Sequence, residues 1–182
     1  MIETSRLRLR LPRTEDVEDV LSYRSRPDVA RYLRGGIWTR QKTRREIAVY
    51  SSADFMESGD ELVLLVELRS PAVVVGEVGL VRGKDPREAE LGFVFNPDFG
   101  SQGYATEAVG GVLAEARQRW GLDHVIAVAD EANSASRSLC ERIGMHLESI
   151  AMSQDGRRVS ECTYSLGLSD YEKYSHRSKN LK

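Results

Sequence analysis

The sequence predicts one α/β domain in which a mixed, mostly antiparallel sheet carries helices on both faces. Three observations predict this fold. A chain of 182 residues is long enough for one sizeable core, segments with the period of a strand alternate with segments with the period of a helix, and no internal repeat or linker divides them. The predicted order is β-α-α-β-β-β-α-β-α-β-β. We expect the domain to span residues 1–174 and a polar, mobile tail to span residues 175–182.

Composition and charge exclude several classes of protein. Hydrophobic residues make up 41% of the chain and charged residues 30%, which is typical of a globular protein and not of a disordered or fibrous one. A formal net charge of -2 gives no global attraction to nucleic acid or to an anionic membrane. Two cysteines are too few for a disulfide scaffold, and no apolar stretch resembles a signal peptide or a membrane span. We therefore expect a cytoplasmic protein without nucleic-acid or membrane partners.

The chain opens with a predicted strand and a predicted helix. Leucine alternates with arginine over residues 6–11, which is the period of a strand with one buried face. Thr14 is placed to cap the helix, whose first turn is acidic, and Pro27 ends it. The apolar stripe of this helix comprises Val17, Val20 and Leu21.

A second helix and three strands follow. A short helical piece over residues 29–33 and a break at two glycines precede a helix that Thr39 caps and that runs to about Gly59. Aliphatic and β-branched runs at residues 62–66 and 73–81 predict a hairpin, and residues 89–95 predict a further strand.

The second half of the chain predicts two helices and three strands. A long amphipathic helix follows a glycine-rich turn, and a short buried strand covers residues 124–128. Asn133 is placed to cap the next helix and Gly144 to end it. Two final strands at residues 145–152 and 158–168 meet at a turn. The stripe of the long helix comprises Ala105, Ala108, Val109, Val112, Leu113, Ala116 and Trp120.

The turn before the long helix is the most informative motif. A glycine-rich turn at the start of a helix leaves backbone N–H groups unpaired at the positive end of the helix dipole, where they suit a phosphate or pyrophosphate. The turn is not a P-loop, because no Gly-Lys-Ser/Thr follows, and it is not a dinucleotide fingerprint, because the first Rossmann strand is missing. By spacing alone, Gly103 is equally compatible with a tight turn that binds nothing.

Three separated motifs together resemble the GNAT superfamily of N-acetyltransferases. They are the turn at residues 100–105, the run Asn133-Ser134-Ala135-Ser136 with the helix end at residues 139–145, and the opening at residues 3–10 followed by Asp16. The chain looks most like the branch typified by the RimJ/RimL ribosomal-protein N-terminal acetyltransferases, over almost its whole length. The resemblance implies an N-acetyltransferase that moves an acetyl group from acetyl-CoA directly to a primary amine, without a metal.

The resemblance also implies where acetyl-CoA binds. In this superfamily the loop Gln/Arg-x-x-Gly-x-Gly/Ala binds the pyrophosphate through its backbone; Gly103 and Ala105 match it, whereas Gly100 lacks the long side chain. The end of the preceding strand is implied to separate from its neighbour and to hold the pantetheine arm. The implied cofactor-binding residues are Phe93, Val94, Phe95, Ser101, Gln102, Gly103, Tyr104, Ala105, Thr106 and Asn133.

Two residues are candidates for the chemistry. An alkylamine is mostly protonated at pH 7 and must lose a proton before it attacks a thioester. Glu90 is the candidate base, at an Ala-Glu-Leu position where the superfamily often places one; alternatively it faces outward or hydrogen-bonds the acceptor. Ser136 matches a serine of the RimJ/RimL branch and is the candidate donor to the leaving thiolate, or it satisfies a backbone group of its helix. Cys140 replaces the tyrosine that many members use as an acid, and its place on an apolar stripe favours packing.

The acceptor is the least constrained part. The resemblance implies that the acceptor groove lies between two loops, which here are residues 34–40 and 153–158. The candidate substrate-binding residues are therefore Arg34, Trp38 and Arg157. Arginines there favour a peptide α-amine or another amine with an anionic group over a polycation, unless they are simply solvated. The alternatives to catalysis are a non-catalytic acyl-CoA-binding or regulatory module on the same fold, and a nucleotide binder. We expect a monomer or a homodimer, and the three histidines share no metal-ligand spacing.

Overall fold

The computed structural model describes residues 1–153, 159–169 and 171. The strands are β1 (Ile2–Glu3), β2 (Leu7–Arg10), β3 (Glu61–Leu68), β4 (Val74–Arg82), β5 (Glu88–Phe95), β6 (His124–Asp130), β7 (His146–Met152) and β8 (Ser160–Gly167). The helices are α1 (Val17–Arg24), α2 (Pro27–Ala30), α3 (Arg40–Tyr50), α4 (Tyr104–Trp120) and α5 (Ser134–Arg142), and short 3₁₀ turns cover Thr14–Asp16 and Pro97–Phe99.

One sheet organises these elements. Its eight strands lie in the order β1-β2-β3-β4-β5-β6-β8-β7. Neighbouring strands are antiparallel, except β5 and β6, which are parallel because α4 carries the chain back between them. The predicted α/β domain with a mixed, mostly antiparallel sheet is confirmed.

Apolar side chains fill both sides of the sheet. β3 sends Leu64 and Val66 into a large cluster beneath α4 and α5, and Leu65 into a smaller cluster beneath α1 and α3. The alternation along one strand places the two clusters on opposite faces, as predicted. The large cluster buries five of the seven residues of the predicted stripe of α4, namely Ala108, Val109, Val112, Leu113 and Ala116. Ala105 and Trp120 are only partly buried and pack against it.

The first helix begins later than predicted. Thr14 lies in a 3₁₀ turn, and α1 begins at Val17. The Asp16 carboxylate holds this turn, because it accepts hydrogen bonds from the Arg13 N–H at 2.6 Å and from two nitrogens of Arg10, each at 2.8 Å. Charge-assisted hydrogen bonds to a buried arginine therefore fix the junction of strand and helix, and a threonine cap does not.

The predicted helix capped by Thr39 is confirmed at its start and wrong at its end. The Thr39 side chain accepts a hydrogen bond from a backbone N–H, but α3 ends at Tyr50 and not near Gly59. Phe55 turns back into the main core, where it is 5% exposed. The Asp60 carboxylate then accepts hydrogen bonds from two preceding backbone N–H groups, which closes a turn in place of a helix.

Smaller differences concern β1, α2 and the end of the chain. The sequence does not predict β1. The short helix predicted at residues 29–33 begins earlier, at Pro27, where the missing N–H of proline is tolerated. The predicted turn at residues 154–156 and the predicted tail lie outside the described residues. No helix in the described ranges is long and apolar enough to cross a membrane.

Candidate active site

β5 and β6 separate in the middle of the sheet. They pair only at Glu88, Ala89 and Glu90; beyond this point β5 stays paired with β4 and β6 stays paired with β8. The backbone of residues 91–95, which includes Phe93, Val94 and Phe95, therefore presents a free strand edge to the gap. A free edge of this kind can hydrogen-bond an extended ligand as a further strand would.

The carboxyl end of β5 leads into the glycine-rich turn. Ser101 and Gly103 have positive φ angles of 60° and 78°. In the described part of the chain, the backbone N–H groups of residues 101–106 donate no hydrogen bond, and the first helical bond runs from the Glu107 N–H to the Gly103 carbonyl at 3.0 Å. These six consecutive free N–H groups at a helix start are of the kind that suits an anion. They belong to Ser101, Gln102, Gly103, Tyr104, Ala105 and Thr106.

Gly100 precedes this loop and departs from the family pattern. A Cβ atom at Gly100 would lie 3.0 Å from the Pro97 carbonyl oxygen, which is tighter than ordinary contacts. A side chain here would require the turn at Pro97–Phe99 to shift by a few tenths of an ångström. The departure removes a side chain and leaves the free N–H groups in place.

Two arginines flank the loop, and neither is singled out by the sequence. Arg6 donates to the Gln102 carbonyl at 3.0 Å, and its guanidinium lies 4.7 Å from the centre of the Tyr104 ring. Arg142, at the end of α5, donates to the Thr106 hydroxyl at 3.2 Å. Guanidinium groups on both sides add positive charge where a pyrophosphate would lie.

Glu107 ties the beginning of the chain to the same loop. Its carboxylate accepts hydrogen bonds from the hydroxyls of Thr4 at 2.6 Å and Ser5 at 2.9 Å, and from the backbone and side chain of Arg6. Burial raises the pKa of the Glu107 carboxyl, but these hydrogen bonds outweigh it and hold the pKa below its ordinary value. Residues 4–6 and the loop before Glu107 both belong to the motifs that carry the family resemblance. The sequence does not show that these two motifs are in contact.

An open cavity of about 420 Å³ lies beside the gap, on the face that carries α1 and α3. Gly79 and Gly92 are directly paired in its floor. A Cβ atom at Gly92 would meet no atom within 4 Å, so the glycine leaves open space. The floor between the flanking strands is thus free for a ligand.

The structure brings Glu90, Asn133 and Ser136 to this one cavity. Glu90 is half-buried on β5 at the last pair before the strands separate. Asn133 caps α5 as predicted, because its side-chain oxygen accepts a hydrogen bond from the Ser136 N–H at 3.1 Å. The amide NH₂ of Asn133 and the hydroxyl of Ser136 make no hydrogen bond to another described residue and remain available to a ligand.

The predicted substrate-binding residues have different positions. Trp38 is 6% exposed and lines the cavity, with the Arg24 guanidinium 4.3 Å from its ring centre. Arg34 also lines the cavity and pairs with Glu161 at 3.4 Å. Arg157 lies outside the described residues.

A buried carboxylate that the sequence does not single out lies in the same cavity. Glu77 on β4 is 5% exposed and accepts hydrogen bonds from the Tyr23 hydroxyl at 2.8 Å and from Arg24. Burial, together with the charge of Glu77, raises the pKa of the Tyr23 hydroxyl well above its ordinary value. The sequence gives no signal for this group, because a lone glutamate in a strand is usually exposed.

The two cysteines are buried free thiols. Burial raises the pKa of Cys140 to about 11 and also raises the pKa of Cys162. We predict that neither thiol reacts with an aromatic disulfide reagent at pH 8 in the folded protein, because only the thiolate attacks, and that both react after unfolding in guanidinium. A thiol that reacts rapidly in the native protein would contradict the burial that makes Cys140 a packing residue.

Within the described ranges, no group of three histidine, cysteine, aspartate or glutamate side chains is arranged to hold a metal ion. The site is therefore described by its carboxylates, hydroxyls and backbone groups.

The described residues thus combine a split parallel strand pair, a loop of free N–H groups at its end and a carboxylate beside it. The chain belongs to the acetyltransferase (GNAT) domain family, whose model matches residues 6–146. The family assignment made from the sequence motifs is confirmed, and the protein is an acetyltransferase.

Individual relatives agree with this assignment. The uncharacterized N-acetyltransferase YnaD of Bacillus subtilis is 25% identical over 147 residues, which cover 81% of this chain and 83% of YnaD. A GNAT-family acetyltransferase from Bacillus anthracis superposes with a TM-score of 0.83 at 26% identity, over 92% of this chain and 98% of that one. RimL, a ribosomal L7/L12 α-N-protein acetyltransferase in complex with coenzyme A, superposes with a TM-score of 0.75 at 15% identity, over 90% and 95% of the two chains. At that identity the likeness to RimL concerns the fold alone.

Proposed function

We propose that this acetyltransferase moves the acetyl group of acetyl-CoA to a primary amine within a ternary complex, without an acetylated-enzyme step. One observation carries the proposal: the free N–H groups of residues 101–106, the free strand edge of residues 91–95 and the cavity with Glu90 follow one another along β5 and the turn after it. Pyrophosphate, pantetheine arm and thioester follow one another in the same way along acetyl-CoA.

The residues along this path fit acetyl-CoA group by group. The six N–H groups, with Arg6 and Arg142 beside them, suit the pyrophosphate. The free edge at Phe93, Val94 and Phe95 suits the amides of the pantetheine arm, and the Asn133 amide reaches the cavity from α5.

The chemistry assigns one task to each of two side chains. Acetyl-CoA supplies a thioester carbonyl to the cavity. The Glu90 carboxylate takes a proton from the bound ammonium, which frees the nitrogen lone pair to form the C–N bond. As the C–S bond breaks, the Ser136 hydroxyl gives its proton to the leaving thiolate and regains one from the nitrogen, which thereby loses its second proton. Cys140 is fully buried and offers no donor to the cavity. The products are an N-acetyl amine and the CoA thiol.

The acceptor in this proposal is a primary amine of a small molecule or of a peptide N-terminus, and the reaction takes place in the cytoplasm, where thiols stay reduced. Cys140 in place of a hydroxyl acid favours one competing function, a non-catalytic acyl-CoA-binding module. The two functions differ in turnover. Acetyl-CoA that is stable alone and releases CoA thiol on addition of amine supports the enzyme. Binding without thiol release across a panel of amines would favour the module.

The Ser136→Ala variant is expected to lower kcat by about tenfold or more, because the leaving thiolate loses its donor. Ser134→Ala is the matched control, since Ser134 is an exposed serine in the first turn of the same helix. Initial rates of thiol release measure both. Equal rates for the two variants would remove Ser136 from the chemistry.

A further inference from the structure

The cavity wall is rich in carboxylates. Six acidic and three basic side chains of the described residues line it. Five neighbouring strands, β3, β4, β5, β6 and β8, contribute one acid each, which are Glu61, Glu77, Glu90, Asp130 and Glu161, and α3 adds Glu46. The basic side chains are Arg24, Arg34 and Lys42.

The basic side chains are already engaged. Arg24 pairs with Glu77, Arg34 pairs with Glu161, and the Lys42 amine donates to the Gly35 carbonyl at 2.8 Å. Arg34, one of the two arginines that the sequence offers for an anionic acceptor, therefore already has a carboxylate partner, and Arg157 lies outside the described residues. Arg40, in the same loop as Arg34, pairs with Glu18 outside the cavity.

Glu61 and Glu90 both line the cavity, and neither forms a salt bridge with another described residue. Glu61 pairs in register with Val81, and Val81 pairs in register with Glu90, so the two acids lie in one row across three strands. Paired residues share a face of the sheet, and two strand spacings separate their Cα atoms by about 10 Å. The carboxylates of Glu61 and Glu90 therefore lie on the same face of the sheet, two strands apart.

Glu61 has few charge partners of its own. Burial raises the pKa of the Glu61 carboxyl above its ordinary value, and the like charges of Glu77 and Glu46 add to this. The Tyr50 hydroxyl and the positive charge of Arg24 oppose it. A positive group among these carboxylates would relieve their mutual repulsion.

We infer that the acceptor is an amine with a second positive charge, whose reacting nitrogen lies at Glu90 while its second cationic group lies against Glu61. The inference rests on the proposed function and names the substrate class of that same site. It reverses the expectation, drawn from loop arginines, that an anionic amine is preferred.

Three acceptors of equal length test the inference: hexane-1,6-diamine, 6-aminohexan-1-ol and 6-aminohexanoate. Their far ends are positive, neutral and negative at pH 7. We expect kcat/KM to fall in that order, with the diamine about tenfold above the alcohol at low salt, and the advantage to shrink as salt screens the charges.

The Glu61→Gln variant identifies the residue. We expect it to raise the KM for the diamine about three- to tenfold at nearly unchanged kcat and to leave the alcohol within about twofold, because only the diamine meets the lost charge. The control is Glu115→Gln, which removes a half-exposed acid that pairs with Arg119 on α4 outside the cavity, and it should change neither.

The outcomes separate the two claims. Equal kcat/KM for the three amines, or a preference for 6-aminohexanoate, would overturn the inference and leave the acetyltransferase proposal intact. If none of the amines is acetylated, the proposed acceptor class fails, and calorimetry with hexane-1,6-diamine decides the inference: binding weakened by Glu61→Gln supports it, and absence of binding overturns it.

Discussion

The Gly103→Asp variant is expected to lose acetyl-CoA binding. Gly103 lies in the middle of the six free N–H groups with a φ angle of 78°, and a carboxylate there would occupy the place of the pyrophosphate and repel it. Acetyl-CoA at one hundred times its Kd stabilises the wild-type protein by about 2.7 kcal/mol. In a domain of this size that raises Tm by roughly 5–10 °C. The variant should show no such shift.

Gly103→Asn separates charge from backbone strain. Asparagine has nearly the shape of aspartate, and both residues tolerate a positive φ better than most, so the two variants should have similar Tm values without ligand. We expect acetyl-CoA still to raise the Tm of the Gly103→Asn variant, by less than in the wild-type protein. An undiminished shift in Gly103→Asp would remove this loop from the acetyl-CoA site.

Replacement of Glu90 by glutamine is expected to lower turnover by about 10²- to 10⁴-fold while acetyl-CoA still raises Tm. Glutamine keeps the size of the side chain and removes its capacity to accept a proton. The difference in turnover between wild type and variant should become smaller as pH rises toward the pKa of the amine, because more of the acceptor then binds unprotonated. Steady-state rates from neutral to alkaline pH measure this.

Glu88→Gln is the matched control for Glu90. Glu88 lies two residues earlier on the same face of β5 and does not line the cavity. Its replacement should leave turnover unchanged. A loss below about threefold in Glu90→Gln, or a deficit that is constant with pH, would contradict the role of base.

Periodicity and turn chemistry predict most of the fold. The alternation at residues 6–11, the hairpin of β3 and β4, and the stripe of α4 are local patterns, and each element forms close to where it is predicted. Local sequence patterns do not predict the end of α3, because it depends on the packing of Phe55 into a core assembled from distant strands. The start of α1 likewise depends on the contact between Arg10 and Asp16.

The candidate site divides in the same way. The glycine-rich turn, Glu90 and Asn133 can be identified from short motifs. The contact of Arg6 and Glu107, which are 101 residues apart, and the row formed by Glu61 and Glu90 arise only from strand register and long-range packing. The acidic lining that the described residues give the cavity is therefore invisible in the sequence, where loop arginines favour an anionic acceptor.

The fate of the acetyl group tests the central claim most directly. Mass spectrometry of the protein, the amine and the thiol, after incubation with acetyl-CoA and hexane-1,6-diamine, assigns every acetyl group that leaves CoA. Direct transfer predicts acetylated diamine and CoA thiol in equal amounts, with the protein itself unmodified. Free acetate, or an acetyl group on the protein, in the amount of the released thiol would contradict direct transfer to the amine.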